Sequence, residues 1–428
     1  MIRILHFSDA HIDIAAHGRK DPATGLPYRV QDFLIALDKI IDYAINSPVD
    51  LVIFTGDAYR DRTPSPTYQR EWGKRIIRLS KAAIPTILLI GNHDLSPTYG
   101  RAHALQEFDT LSIPYIHVID RPMMLGQTEL DNLPVQIIAF PWLSSSAMAA
   151  LINTNPGTKQ EINNNMEFLI NKIVENWIKD SNPDLPLIFA AHASVQGAVF
   201  GGERNITLGN DYILPGSLVR NSNFDYVALG HIHKPQNLNE DSHPPVIYAG
   251  SIERVDFGEI EDQKYFVVTE LSKGKTKVNW IALEGRSFLD NTIDLRKLAK
   301  NLGEGQIPDS STVMEFIRNG LPDMEEIADS VTRLTITYPL DWEPLIDNHE
   351  IHQFYKDAIE SQIIHKPQAN VRLRLGDDES ISSLSPINLL EKYLLSEKVD
   401  QREISTLQEL ATKIIYNQDD PIDLEAGS

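Results

Sequence analysis

Ile87-Leu88-Leu89-Ile90-Gly91-Asn92-His93-Asp94 joins four aliphatic residues to a turn that carries amide, imidazole and carboxylate donors. An apolar run this short, stopped by glycine, reads as a strand buried on both faces. The same pattern recurs four times. Ile2-Arg3-Ile4-Leu5 precedes Asp9-Ala10-His11, Leu51-Val52-Ile53-Phe54 precedes Gly56-Asp57, Leu187-Ile188-Phe189-Ala190 precedes His192, and Tyr226-Val227-Ala228-Leu229 precedes Gly230-His231-Ile232-His233. Ligands of open α/β sheets gather beyond the carboxyl ends of the strands, where loops rather than core packing decide the residue. Five scattered segments therefore describe one site, with donors enough for two adjacent metal ions.

Asp9 and His11 are two residues apart, as are His231 and His233, so continued strand geometry points each pair from one face. A mixture of carboxylate, imidazole and amide oxygen suits Mn, Fe or Zn, whereas oxygen alone would favour Mg or Ca. The chain has no cysteine, which excludes thiolate sites and any disulfide framework. Taken singly, each donor has a plainer explanation: Asp-x-His is ordinary turn or cap chemistry, and His192 reads as a core histidine satisfied by a backbone carbonyl. Five such segments, each directly behind a buried-strand pattern, are not explained by independent turns.

Asp-x-His, Gly-Asp, Gly-Asn-His-Asp, a lone His and Gly-His-x-His together resemble the signature of calcineurin-like metallophosphoesterases, over roughly residues 1 to 285. Within that superfamily the chain is similar to the SbcD-type DNA repair exonucleases. The resemblance rests on the opening Met1-Ile2-Arg3-Ile4-Leu5-His6-Phe7-Ser8-Asp9, on the block Tyr248-Ala249-Gly250-Ser251-Ile252-Glu253-Arg254-Val255-Asp256-Phe257-Gly258-Glu259, and on the C-terminal layout. It implies an α/β fold, a four-layer α/β/β/α metallophosphoesterase sandwich with a smaller α+β capping domain and a C-terminal helical tail. Asp9, His11, Asp57 and His233 would hold one metal, and Asp57, Asn92, His192 and His231 the other. The bridging place of Asp57 agrees with its chemistry, since a carboxylate binds two cations and a neutral imidazole does not. Two cations about 3.5–4 Å apart lower the pKa of a shared water and clamp a phosphodiester in line, so no Ser, Cys or Thr nucleophile is needed.

The resemblance also places His93 as a donor to the phosphate or leaving oxygen. Asp94 either orients His93 or caps a helix before Leu95-Ser96-Pro97. Some relatives carry a histidine three residues after the bridging aspartate, a position tied to duplex ends. Here Arg60, which does not deprotonate, stands there, so phosphodiester chemistry is implied more firmly than an exonuclease preference. The implied activity is 3′–5′ exonuclease and single-strand endonuclease action in double-strand-break repair, with two divalent ions, Mn2+ foremost. The implied partners are DNA, an SbcC-type ATPase with a coiled coil, and a second copy in a homodimer. The competing reading keeps the site and changes the substrate to a small phosphoester such as a cyclic nucleotide.

A net charge of −21 opposes duplex binding, which depends on Lys and Arg neutralising phosphates. Its distribution softens the objection: residues 1–110 hold 13 basic and 13 acidic residues, whereas 321–360 carry 2 against 10 and 376–428 carry 4 against 12. Two divalent ions would add about four positive charges at the site itself. Arg70, Lys74 and Arg78 recur every four residues on an expected helix after Pro66, with Arg60 and Arg62 before it. These five are the candidate phosphate contacts, although such a stripe is more often a solvated helix face.

The chain's 428 residues suffice for two or three domains. No run of about 18 apolar residues occurs and the chain enters a strand at once, so a soluble, cytoplasmic protein without a membrane span is expected. Apolar strands alternate with helical patterns over Val30 to Ile45, Tyr68 to Ala82 and Glu161 to Lys179, which predicts a layered sheet sandwich flanked by helices; the resemblance implies that this part, 1–285, is the nuclease domain. Ser194 to Ser222, with Gly197, Gly201, Gly202 and Gly209, reads as a covering loop or as plain turns. A capping domain is expected over 286–375, with an alternating strand at Val331 to Tyr338, a helix from Ile351 to Ile364 and a second strand, Val371-Arg372-Leu373-Arg374-Leu375. Residues 376–384 read as an acidic, serine-rich linker. Residues 385–428 read as two amphipathic helices, capped at Ser385-Pro386 and at Asp400 with Glu403, that need a docking surface such as the ATPase coiled coil.

Overall fold

The computed structural model describes residues 1–14, 19–95, 102–143, 159–201, 213–303, 306–368, 386–396 and 400–415. All five apolar runs are strands, divided between two six-stranded sheets. The first has the order β14 (Lys275–Leu283), β13 (Lys264–Ser272), β1 (Ile2–Phe7), β2 (Leu51–Phe54), β3 (Thr86–Leu89), β4 (Ile116–Ile119). The second has the order β11 (Gln236–Asn237), β12 (Val246–Tyr248), β10 (Tyr226–Gly230), β7 (Leu187–His192), β6 (Gln136–Phe140), β5 (Met123–Leu125). β1 to β4 run parallel in one sheet, and β6, β7, β10 and β12 in the other, while antiparallel strands form the margins. β8 (Ser194–Val195) and β9 (Ile213–Leu214) make a separate parallel pair.

Strands buried on both faces explain the unbroken apolar runs. Leu5, Phe7, Val52, Phe54 and Leu88 pack with Phe33, Leu37 and Ile40 of α1 (Tyr28–Asn46) and with Trp72 and Ile76 of α2 (Pro66–Lys81). The alternate residues Ile4, Ile53, Ile87 and Leu89 turn inward, against Ile137, Ile188, Ala190, Ala228 and Ile247 of the second sheet. That sheet's outer residues Ile138, Phe189, Val227 and Leu229 pack against Met166, Ile170 and Val174 of the helix Lys159–Asp180. The result is the expected four-layer α/β/β/α sandwich.

Polar groups also tie the sheets together. His6 Nδ1 lies 2.9 Å from the Tyr226 hydroxyl and its Nε2 lies 3.1 Å from Thr55 Oγ1. Burial pushes this imidazole down to about 3, so it is neutral. Asp225, buried before β10, accepts the N–H of Leu187 at 2.8 Å within its own sheet. From the β13–β14 hairpin of the other sheet it accepts the N–H of Gly274 at 2.6 Å and the Lys273 ammonium at 3.0 Å.

The chain divides into two compact units, Met1–Ile293 with Arg318–Thr335 and Asp347–Ile364, and Asp294–Ile317 with Ile336–Ile346 and His365–Ser428. β15 (Phe288–Asp294), β16 (Val331–Pro339) and β17 (Glu360–Gln368) form a three-stranded sheet in that order. β16 matches the expected alternating strand. The expected helix over 351–364 is corrected: the helix is Asn348–Phe354, capped by the Asp347 carboxylate on the amides of His349 and Glu350, and the chain is a strand again from Glu360. The Ile359 amide bonds to the Ser330 carbonyl at 2.9 Å, so sheet pairing overrides a spacing of apolar residues that also fits a helix. Helices Pro386–Ser396 and Gln401–Ile415 belong to the second unit. Arg372, Arg374, the linker 376–384 and Ser385 lie outside the described residues, as do Gly202 and Gly209. Among the described residues no helix is long and apolar enough to cross a membrane.

Asp225→Ala would strand the buried Leu187 N–H and release the Lys273 ammonium and the Gly274 N–H of the other sheet. A loss of about 2–4 kcal/mol in urea unfolding is expected, and a loss below about 1 kcal/mol would contradict the cross-sheet role.

Candidate metal centre

The carboxyl ends of β1, β2 and β3 in one sheet and of β7 and β10 in the other deliver every predicted donor to one place. Backbone bonds stitch the loops together: Asp9 N–H to Gly56 C=O at 3.0 Å, Ala10 N–H to Asp57 C=O at 2.8 Å, and Ser251 N–H to His233 C=O at 3.1 Å. Asp9, His11, Asp57 and His231 have φ of 51°, 37°, 61° and 96°, in the left-handed region. Such conformations cost on the order of 1–3 kcal/mol each in non-glycine residues, and they persist where surrounding bonds over-determine the backbone.

Asp94 supplies several of those bonds. It is buried, and its carboxylate accepts the N–H groups of Asp57, Ala58 and Gly91, each at 2.9 Å. This corrects the expectation that Asp94 orients His93. His93 is held instead by the Arg60 carbonyl, 2.6 Å from its Nδ1, which puts the ring hydrogen on that nitrogen and leaves Nε2 for another partner. The alternative, a helix cap, concerns a segment continuing into residues 96–101, outside the described range. Gly91 is obligatory for a steric reason, since a Cβ there would collide with the Asp57 carboxylate.

Donor atoms of Asp9, His11 and His233 lie within 4.8 Å of one another, and so do those of Asp57, His192 and His231. Asp57 lies between the two groups: its Oδ2 is 3.4 Å from His192 Nε2 and 4.0 Å from His11 Nε2, while Oδ1 accepts the His93 N–H at 2.9 Å. Asn92 Oδ1 is 2.9 Å from His192 Nε2 and 3.0 Å from His231 Nδ1.

The tautomers decide what this arrangement fits. His192 Nδ1 donates to the Thr55 carbonyl at 2.6 Å, so in the neutral ring Nε2 presents a lone pair to the Asn92 oxygen. His233 Nδ1 donates to Glu259 Oε1 at 2.7 Å, so its Nε2 likewise presents a lone pair, 3.1 Å from His11 Nε2. Buried His11 Nδ1 has no hydrogen-bond partner among the described residues. Nitrogen and oxygen acceptors converging at these distances need a proton or a cation between them, and imidazoles whose far nitrogen bonds a carbonyl or carboxylate have the orientation of metal ligands.

Electrostatics point the same way. Burial opposes ionisation of Asp57, yet the adjacent His192 holds its carboxyl well below the usual range. Burial acts against charge on His192 too, but Asp57 raises it to about 9. Burial raises Asp9, and burial together with the Asp57 charge raises Asp94 to about 7. Burial and the neighbouring His233 push His11 down. Asp57 is therefore the carboxylate that stays ionised, as a shared ligand must.

The candidate phosphate contacts fare differently. Arg60 and Arg62 are exposed, with the Arg60 guanidinium on the Ile14 carbonyl at 3.0 Å. Arg70 and Lys74 pair with Glu71 at 2.9 and 3.0 Å, and Arg78 pairs with Asp38 at 3.0 Å and with Asp42, both on α1. The sequence reading gave no role to Glu259, Lys264 or Trp142. The Trp142 ring lies 4.9 Å from that of His231. Glu259 closes the block quoted above, and that block was the available signal.

The family described as Calcineurin-like phosphoesterase matches residues 2–235, and the chain belongs to it: it is a metal-dependent hydrolase. Among curated proteins it is similar to the D component of the nuclease SbcCD of Bacillus subtilis (strain 168), at 24% identity over 68% of this chain and 75% of that one. The corresponding SbcCD component of Escherichia coli (strain K12) is 25% identical over 64% of this chain and 66% of its own length. The DNA double-strand break repair protein Mre11 of Saccharolobus solfataricus is 24% identical over 71% of this chain and 69% of its own length.

Gly91→Ala would displace the Asp57 carboxylate. Bound metal measured by mass spectrometry should fall by at least one ion per chain, and full occupancy in a folded variant would contradict the steric argument.

Proposed function

We propose that this chain is a dinuclear-metal phosphodiesterase that hydrolyses DNA, a 3′–5′ exonuclease and single-strand endonuclease in double-strand-break repair. The observation that carries the reading is the Asp57 carboxylate set between two buried His/Asp groups, 3.4 Å from one imidazole and 4.0 Å from the other. Asp9, His11, Asp57 and His233 would hold one ion, and Asp57, Asn92, His192 and His231 the other, with Mn2+ suited to this donor set. When bound, the ions activate water and neutralise the charge that develops on phosphate.

The protein's own groups do the rest. His93, with its Nδ1 hydrogen fixed on the Arg60 carbonyl, offers Nε2 at the rim of the site, where the protonated ring would donate to the leaving oxygen. Asp94 keeps the Asp57 and Gly91 turns rigid. Arg60, whose carbonyl holds His93, and Arg62 are exposed and would meet the flanking phosphates, while Arg70 and Lys74 would extend that path along α2. DNA as substrate is supported by the names of the relatives and by the long chain beyond the site, which a small phosphoester does not require. Residues 1–285 would form the nuclease domain, 286–375 a cap that orients DNA, and 376–384 a linker. The pair over 385–428 would dock on the coiled coil of an SbcC-type ATPase in the cytoplasm, the nuclease itself acting as a homodimer.

Mn-loaded protein should degrade labelled duplex DNA from 3′ ends, and EDTA should stop it. Cleavage of a model phosphodiester with DNA left intact, with and without the ATPase, would favour the small-phosphoester reading instead. His93→Ala should lower turnover about 10²–10⁴-fold with metal content retained, whereas loss of metal would make His93 a ligand. Deletion of 385–428 should abolish pull-down of the ATPase and spare activity on a small diester; unchanged pull-down would refute the docking role.

A further inference from the structure

Behind His233 lies a charged pair that the proposed chemistry does not call on. Glu259 and Lys264 are 1% exposed each, and the Lys264 ammonium donates to Glu259 Oε2 at 2.6 Å. The same oxygen accepts the Val255 N–H at 3.0 Å and the Ser251 hydroxyl at 3.3 Å. The other oxygen, Oε1, accepts the His233 Nδ1 hydrogen at 2.7 Å. Lys264 also reaches the His233 carbonyl at 3.3 Å, so the pair grips both the ring and the backbone of one residue.

Stability alone does not account for this arrangement. Taking two charges out of water costs several kcal/mol per ion, and apolar replacements of a buried pair are often neutral or stabilising. What an apolar replacement would remove is the acceptor at His233 Nδ1. That acceptor fixes the tautomer, aims Nε2 at Asp9 and His11, and makes the ring a stronger donor. Lys264 cancels the charge of Glu259, so the acceptor is provided without a further uncompensated negative charge beside Asp9 and Asp57.

We propose that Glu259, held in place by Lys264, is a positioning residue that sets His233 for one of the two metal ions, the one at Asp9 and His11. The proposal rests on the dinuclear reading above and adds residues from outside the donor set. It assigns the pair an effect on one ion and not on both, because the donor residue that Glu259 and Lys264 grip is His233, which belongs to the Asp9 and His11 group.

The test is a titration of the full chain with Mn2+, followed by calorimetry and by the electron paramagnetic resonance of the coupled ion pair, for wild type, E259A and E259Q. Thermal melting checks that each variant folds. Wild type should bind two ions. E259A should bind one of them about 10–100-fold more weakly and the other within about threefold of wild type, so that the coupled spectrum gives way to that of a single Mn2+ at one equivalent. E259Q keeps an oxygen that can accept from Nδ1 and should recover part of the lost affinity. If E259A does not fold, the double variant E259A/K264M, which leaves no unpaired buried charge, is measured in its place with the same expectation. A folded variant that binds both ions as wild type does, or that weakens both equally, overturns the proposal. Fewer than two ions in wild type overturns the dinuclear reading, and this proposal with it.

Discussion

The Asp57 carboxylate must be reached from two sides at once, and much of the architecture follows from that requirement. Its Oδ1 is fixed by the His93 amide and its own amide by Asp94, leaving Oδ2 between His192 and His11. Gly91 can have no side chain because this carboxylate occupies the space. In a buried pocket that also contains Asp9 and four imidazoles, an ionised carboxylate needs nearby positive charge. Without metal, the proton on His192 supplies it; with metal, the ions do.

Two sheets are needed because a single sheet edge cannot surround such a centre. β1, β2 and β3 bring Asp9, Asp57 and Asn92 from one side, and β7 and β10 bring His192, His231 and His233 from the other. The sheets are held in register by an apolar layer reinforced at His6 and Asp225. Strained φ at Asp9, His11, Asp57 and His231 is the local cost of turning the chain sharply at the strand ends, and the carbonyl and Asp94 bonds keep those turns in place. This is consistent with a site built on rigid elements rather than on mobile loops.

Much of this was legible in the residues. Strands buried on both faces write unbroken apolar runs, so the sandwich and the donor segments could be read in order. Strand geometry does not continue through the donors spaced by two, as the spacing suggested: Asp9, His11 and His231 have φ of 51°, 37° and 96°, and His231 and His233 fall in different donor groups. The rest depends on contacts that no local pattern records. Asp94 speaks to backbone amides, which have no signature in sequence. Glu259 lies 26 residues beyond His233 and is one acid among many until folding sets it against Nδ1. The regular spacing of Arg70, Lys74 and Arg78 does not say that α1 places Asp38 and Asp42 opposite Arg78. The segment 351–364 fits two periods, and pairing with β16 decided between them. One nitrogen of His192 bonds a backbone carbonyl as a core histidine's would, and that bond turns the other nitrogen toward Asn92.

Anomalous diffraction from crystals grown with excess Mn2+ tests the central claim most directly. Two peaks about 3.5–4 Å apart, one against Asp9, His11 and His233, the other against Asn92, His192 and His231, with Asp57 bonded to both, are the predicted result. A single peak, or two peaks with the Asp57 carboxylate turned away from either, would contradict the account.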